Sequence, residues 1–269
     1  MKILNGKELA EFIQERQAKQ VRGLRQAEHV APKLAIVVTI DHPAIETYIR
    51  MKQRYGTEIL IDVDIHRVDQ ANVPALIEQL NRDDSVHGII VQLPLTDPSQ
   101  TSEICNLVAS QKDVDALGVH AVYDPATPMA ILWLLAGYNV DLVGKKIVLV
   151  GRGKLVGAPL ERVLLAAGHD VVVVDRTTEH PEAVVPTADI LVTATGIPGL
   201  VTSEMIKPGA VVVDAGVAGE EGKTVGDLAD DVRERIDLTI TPEKGGVGPL
   251  TICALFDNVI RAARESVQQ

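Results

Sequence analysis

Aromatic residues make up only 3% of the 269-residue chain, and acidic side chains outnumber basic ones, 37 to 26, for a formal net charge of −11. Surfaces built for nucleic acid need basic stripes and stacking platforms. Neither is present here, so no nucleic-acid partner is expected. A small anionic ligand stays open, because local cations decide that. There are two cysteines, Cys105 and Cys253, far apart and in no C-x-x-C or metal-ligand spacing. They read as reduced packing residues of a cytoplasmic protein, and no metal site is expected. No apolar run approaches the ~20 residues that span a bilayer, and Met1-Lys2-Ile3-Leu4-Asn5-Gly6 has no secretory pattern,. Internal repeats and low-complexity linkers are missing too. What remains is 46% hydrophobic residues, enough to fill the core of one large or two modest α/β domains,.

The most informative stretch is Ile147 to Pro159, IVLVGRGKLVGAP. Ile147 to Val150 reads as a buried strand, Gly151-Arg152-Gly153 as a turn, and an amphipathic segment follows. Strand, glycine turn and helix start are the parts of a phosphate cradle: glycines admit an anion to the backbone N–H groups, and the helix N-terminus adds partial positive charge. The spacing G-x-G-x-x-x-G is one residue longer than the usual dinucleotide fingerprint, and a plain tight turn could carry the same letters. A second buried run, Val171 to Val174, closes on Asp175-Arg176, 24 positions after Gly151. An acidic residue there suits the free ribose 2′-hydroxyl of NAD. Arg152, Lys154 and Arg176 together favour the 2′-phosphate of NADP, the cofactor expected here, with NAD possible because of Asp175.

Upstream, the periodicity predicts a helix over Lys7 to Arg25, strands over Leu34 to Thr39, Ile59 to Ile65 and Gly88 to Gln92, and helices over Ala44 to Tyr55 and Val73 to Asn81,. This β-α-β-α-β alternation implies a parallel sheet, with functional groups at the carboxyl ends of its strands. Gln92 is at such an end. Tyr48 and Lys52 lie four apart on one helix face. A helix near Ser102 to Ser110 leads to Lys112-Asp113-Val114-Asp115, where either aspartate could be a cap or surface charge. Ala116 to Ala126 has little periodicity. Thr127-Pro128 provides a helix start. Further strands at Ile190 to Thr193 and Val211 to Asp214 each end in glycine, and the final helix is expected to open at about Thr251. His87, His169 and His180 read as exposed or capping residues.

Taken in order, Tyr48-x-x-x-Lys52, Val91-Gln92-Leu93-Pro94-Leu95, Lys112-Asp113-Val114-Asp115, Pro125-x-Thr127-Pro128, Gly151-Arg152-x-x-x-Val156-Gly157-x-Pro159, Gly226-Asp227 and Gly245-Gly246-Val247-Gly248-Pro249-x-Thr251 resemble the bifunctional methylenetetrahydrofolate dehydrogenase/cyclohydrolase family over nearly the whole chain. The resemblance implies a two-lobed α/β enzyme: a folate-binding catalytic domain with a parallel sheet over 1–120, joined by a returning C-terminal helix, 251–269, and a Rossmann-type NAD(P)-binding domain over 121–250. It implies hydride transfer from 5,10-methylenetetrahydrofolate to NADP, hydrolysis of the methenyl product to 10-formyltetrahydrofolate, and a homodimer. The alternatives are a dehydrogenase alone, action on a different reduced pterin, or a non-catalytic NADP- or folate-binding protein, the last disfavoured by Lys52, Gln92 and Asp115 together. Lys52 would be the general acid/base, Gln92 its orienting partner, Tyr48 a packing residue beside the folate ring, and Asp115 the acceptor for the pterin amino edge. Leu93, Gly248 and Pro249 would complete the substrate contacts, and Gly151, Arg152, Gly153, Val156, Gly157, Arg176 and Val217 the cofactor contacts. The chain departs from the family pattern at Ala116-Leu117, where glycine and a large apolar residue are usual, at Gly153, at Asp175, at Glu243-Lys244 and in a shortened passage to Pro125.

Overall fold

The computed structural model describes residues 1–220 and 223–267. The chain divides into two compact units, Glu11–Ala126 with Ile252–Gln269, and Met1–Ala10 with Thr127–Thr251.

In the first unit, strands Asp62–Arg67, Lys33–Val38 and Gly88–Val91 lie side by side and parallel, with Lys33–Val38 central. Leu34 through Val38 are all buried, the near-continuous apolar run a strand needs when both its faces are covered,. One face carries Ala35, Val37, Ile89 and Val91, packed with Val73, Ile77 and Leu80 of the helix Val73–Arg82. Helix Pro43–Glu58 runs one turn beyond the expected end at Tyr55, and Leu60 then takes a positive φ of 67°. That reversal delays the next strand to Asp62, three residues after the predicted start. The helix expected over Ser102 to Ser110 is only Thr101–Cys105. Beyond it a side chain replaces a helical partner, Asn81 Oδ1 accepting from Ala109 N–H at 2.9 Å, while Asn106 Oδ1 accepts from Val119 N–H at 2.9 Å in the following loop,.

The second unit has a six-stranded sheet in the order Lys2–Ile3, Thr239–Ile240, Val211–Asp214, Ile190–Thr193, Lys146–Val150, Asp170–Val174, every neighbouring pair parallel. From Lys146–Val150 the chain goes first to one neighbour, then crosses to the other, so the strand order reverses there. Ligands of open α/β sheets bind outside the carboxyl ends at such a reversal. Residues 1–10 were expected with the N-terminal domain. Instead Lys2 and Ile3 extend this sheet beside Thr239 and Ile240, a pairing 237 residues apart that no local pattern announces. Gly6 explains the tightness of that return, since a Cβ there would sit 1.8 Å from the Gly246 carbonyl oxygen. An antiparallel hairpin, Ala218–Glu220 with Lys223–Val225, was also not anticipated. The final helix is Val247–Glu265, opening four residues before Thr251. Thr251 is already inside it, its hydroxyl bonded back to Val247 O at 3.3 Å.

Candidate active site

Lys52 projects from helix Pro43–Glu58, whose inward stripe includes Ile45 and Ile49, both buried. Tyr48 is one turn earlier and 42% exposed. The Gly88–Val91 strand ends one residue before Gln92, whose N–H still donates to Val37 O at 2.9 Å. This places the Gln92 side chain beyond the strand end. There Lys52 Nζ donates to Gln92 Oε1 at 2.8 Å, while Gln92 Nε2 donates to Leu93 O at 3.0 Å. The second bond fixes which way the amide points and leaves its oxygen for the lysine. Burial lowers the Lys52 pKa below the ordinary lysine value, and the nearby Asp115 carboxylate only partly restores it. Burial likewise raises the Asp115 pKa, opposed by Lys52 and reinforced by Asp113. Desolvation outweighs attraction for both members of the pair. An amine disposed to shed its proton beside a reacting centre is what general base chemistry requires.

Asp115 is brought here by its own motif. Ile89 N–H donates to Lys112 O at 2.7 Å, so the motif runs beside the Gly88–Val91 strand as an isolated parallel bridge, Ile89 to Asp113. Lys112 Nζ donates to Leu80 O and Asp83 O at the end of helix Val73–Arg82, where a cation suits exposed carbonyls,. Asn258, on the C-terminal helix, donates to Val114 O at 2.9 Å and Asp124 O at 2.8 Å. Asp113, which from the sequence reads as a cap or a surface charge, is not on the surface. Its buried carboxylate accepts from Leu117 N–H at 3.3 Å and Gly118 N–H at 2.8 Å, shaping the turn directly after Asp115. The turn needs a left-handed residue, and Ala116 has φ of 56°. A Cβ in that region costs roughly 1–2 kcal/mol. Ala116→Gly should therefore raise stability by about 0.5–1 kcal/mol after the greater unfolded-chain entropy of glycine is counted. A denaturant midpoint lower than that of the parent chain would contradict this.

His87 is neither exposed nor a cap, as had been expected. It is buried, and its Nδ1 accepts from Lys33 N–H at 3.2 Å. That bond requires the unprotonated nitrogen, in keeping with a pKa lowered by burial.

The second unit presents the glycine turn at its strand reversal. Gly151 has φ of 103°, and a Cβ on it would lie 2.6 Å from Ala194 O. A Cβ on Gly157 would lie 2.0 Å from Gly151 O. These two glycines let the turn, the neighbouring strand end and the start of helix Gly157–Ala166 pack backbone to backbone,. Gly153 differs, with nothing near its missing Cβ. Val156 directly precedes the helix, and Arg152 and Arg176 are exposed. Two buried carboxylates brace the loops at the adjoining strand ends. Asp227 accepts from Thr195 N–H at 2.7 Å and Ile197 N–H at 3.0 Å. Asp214 accepts from the Thr193 hydroxyl at 3.1 Å and the N–H groups of Gly216 and Asp227 at 3.1 and 3.0 Å. Gly216 and Gly226 have no room for a side chain against them, since a Cβ on either would be 2.0 Å from a carboxylate oxygen. Neither aspartate had been given a role; their only signal was the Gly226-Asp227 pair. Val217 is 58% exposed on the Gly216 loop, and Gly248 and Pro249 fall in the first turn of helix Val247–Glu265. Thus Lys52, Gln92 and Asp115 are grouped in one unit, with Tyr48 one helical turn from Lys52. The glycine turn, Val217, Gly248 and Pro249 belong to the other.

Residues 4–115 match the catalytic domain of tetrahydrofolate dehydrogenase/cyclohydrolase, and residues 125–267 match the NAD(P)-binding domain of the same family. A bifunctional protein FolD from Exiguobacterium sibiricum is 37% identical, over 97% of this chain and 99% of that protein. The crystal structure of the bifunctional enzyme FolD from Campylobacter jejuni superposes with a TM-score of 0.93 at 35% identity, covering 98% of this chain and 99% of its own. The Trypanosoma brucei methylenetetrahydrofolate dehydrogenase-cyclohydrolase, solved with NADP and an inhibitor, gives 0.92 at 28% identity over 99% and 98% of the two chains. With both domains matched in order and the likeness running end to end, the chain belongs to the tetrahydrofolate dehydrogenase/cyclohydrolase family.

Proposed function

We propose that this chain oxidises 5,10-methylenetetrahydrofolate with NADP and hydrolyses the resulting 5,10-methenyl cation to 10-formyltetrahydrofolate. The observation that carries the reading is the Lys52–Gln92 hydrogen bond of 2.8 Å, made by an amine whose charge burial disfavours. In the first step a hydride passes from the methylene carbon to C4 of the nicotinamide, which calls for positioning rather than a protein base. In the second, water attacks the methenyl carbon as neutral Lys52 takes up one of its protons. Lys52 returns that proton to the ring nitrogen as the C–N bond opens, while the carbinol hydroxyl releases the other to solvent and becomes the formyl carbonyl. Gln92 orients the amine, Asp115 accepts from the pterin amino edge, and Tyr48 packs on the ring, with Leu93, Gly248 and Pro249 as further substrate contacts. Gly151, Arg152, Gly153, Val156, Gly157, Arg176 and Val217 hold NADP. The domain division at about residue 120, with 251–269 returned to the first domain, a homodimeric state and a cytoplasmic location are carried in the same proposal.

The test follows absorbance of the reduced nicotinamide with methylenetetrahydrofolate and NADP or NAD, and in parallel the loss of the methenyl chromophore. Reduction of neither dinucleotide would remove the dehydrogenase assignment. The titration of Lys52 supplies a second check. If the neutral amine is the base, background-corrected kcat/KM for methenyl hydrolysis rises with pH and levels off below the ordinary lysine pKa. Gln92→Glu puts a carboxylate on the ammonium, favours its charged form, and should move that rise to higher pH. An unmoved limb would show that some other group sets the profile.

A further inference from the structure

We propose that Glu161, acting through Arg152, holds down the chain's preference for NADP over NAD and is thus a specificity-determining residue of the dinucleotide site. This deepens the reading above and rests on it.

Arg152 sits between Gly151 and Gly153, at the mouth of the turn, where the strand end Val150 lies in register with Val174. Gly151 N–H donates to Val174 O at 2.8 Å, which sets Arg152 next to the end of the neighbouring strand, and Asp175 is the residue that follows there. In folds of this kind, the ribose nearest that second strand end carries either a hydroxyl or a phosphate on its 2′ carbon. Arg152 is a cation placed to meet it, together with Arg176, which follows Asp175. Yet the Arg152 guanidinium is engaged, fork against fork, by Glu161: Nε to Oε2 at 2.8 Å and Nη2 to Oε1 at 3.2 Å. Glu161 rises from the second turn of helix Gly157–Ala166, and its side chain is only 19% exposed against 55% for the arginine. The carboxylate is therefore the better-anchored partner of this pair.

A second carboxylate flanks the same cation. Asp175 is held below the usual carboxylate range, first by hydrogen bonds from the Thr177 hydroxyl and N–H and also by the charge of Arg152. The Thr177 bonds, 2.6 and 2.9 Å, both go to Oδ1. Oδ2 takes no part in these bonds and is suited to accept from a ribose hydroxyl. A dianionic 2′-phosphate would meet two carboxylates and must share or displace the ion pair to reach Arg152, whereas a hydroxyl requires neither. Bidentate arginine pairs have the geometry as well as the charge that phosphate would compete for.

Glu161→Gln keeps size and hydrogen-bonding capacity while removing the charge. The ratio of kcat/KM for NADP to that for NAD should rise roughly 3–5-fold, the upper end of the scale for one charged contact near a surface. The gain should come through a lower KM for NADP, with kcat for NAD and methenyl hydrolysis within about 2-fold of the parent enzyme. The rise should shrink as salt is added. An unchanged or lower ratio would overturn the proposal. So would equal changes with both dinucleotides, which would mean a structural role for Glu161. A parent enzyme that reduces neither dinucleotide would instead sink the dehydrogenase reading itself, and direct binding of NADP and NAD by calorimetry separates these cases.

Discussion

Replacing Lys52 with alanine is expected to lower methenyl hydrolysis by roughly 10²–10⁴-fold, the usual scale for losing a positioned acid/base. Truncation removes the donor to Gln92 Oε1 and the amine itself, while the buried stripe of Ile45 and Ile49 that seats the helix is untouched. Hydride transfer, which needs no protein base, should fall far less. The split between the two activities is the informative quantity, since unfolding would abolish both together. Hydrolysis at the parental rate in Lys52→Ala would take the amine out of the mechanism. Loss of both activities with an unchanged denaturation midpoint would instead recast Lys52 as a folate-binding residue.

Gly157→Ala should do the converse. The added methyl would lie 2.0 Å from Gly151 O and 2.9 Å from its carbon, and these are backbone atoms with no rotamer to escape into. The turn must open, moving the N–H groups and Arg152 by a substantial fraction of an ångström. Displacement on the 1 Å scale costs on the order of 10²-fold when positioning supplies the rate. Dehydrogenase kcat/KM for NADP should fall by about that factor, and methenyl hydrolysis should stay close to its parental rate. Calorimetric titration with NADP is the direct check. Affinity within about 2-fold of the parent would show that this turn is not the dinucleotide cradle. Gly153→Ala makes a useful contrast, because its missing Cβ faces open space and the change should be tolerated.

Much of the second unit could be read from local pattern. Four of its strands, Lys146–Val150, Asp170–Val174, Ile190–Thr193 and Val211–Asp214, are β-branched runs that stop at an acidic or small residue and so are recognised without partner information,. At the sheet edge, however, only Val174 of the run expected to be buried is fully so, and Val171 to Val173 are half-buried. The two-residue strands Lys2–Ile3 and Thr239–Ile240 have no period to detect, so the sequence does not announce that the first residues extend this sheet. Helix ends slipped for a related reason. Asn81 satisfies a backbone group 28 residues away, which ends a helix that propensity alone would continue.

The candidate site was legible to a different degree at each residue. Tyr48 and Lys52 share a face by helical arithmetic, and Gln92 is at a strand end by the length of its apolar run. Local chemistry determined that much, because a helix turn and a strand step are fixed by the backbone. That Lys52 reaches Gln92 across 40 residues and that Asp115 faces the lysine were decided only when distant segments came together, whereas the Asp113 turn and the Glu161–Arg152 pair were set by how a loop and a helix start fold within nine residues. Hydrogen bonding and desolvation depend on which atoms end up adjacent and how much water is left between them. Those are properties of the packed chain, and no window of sequence contains them.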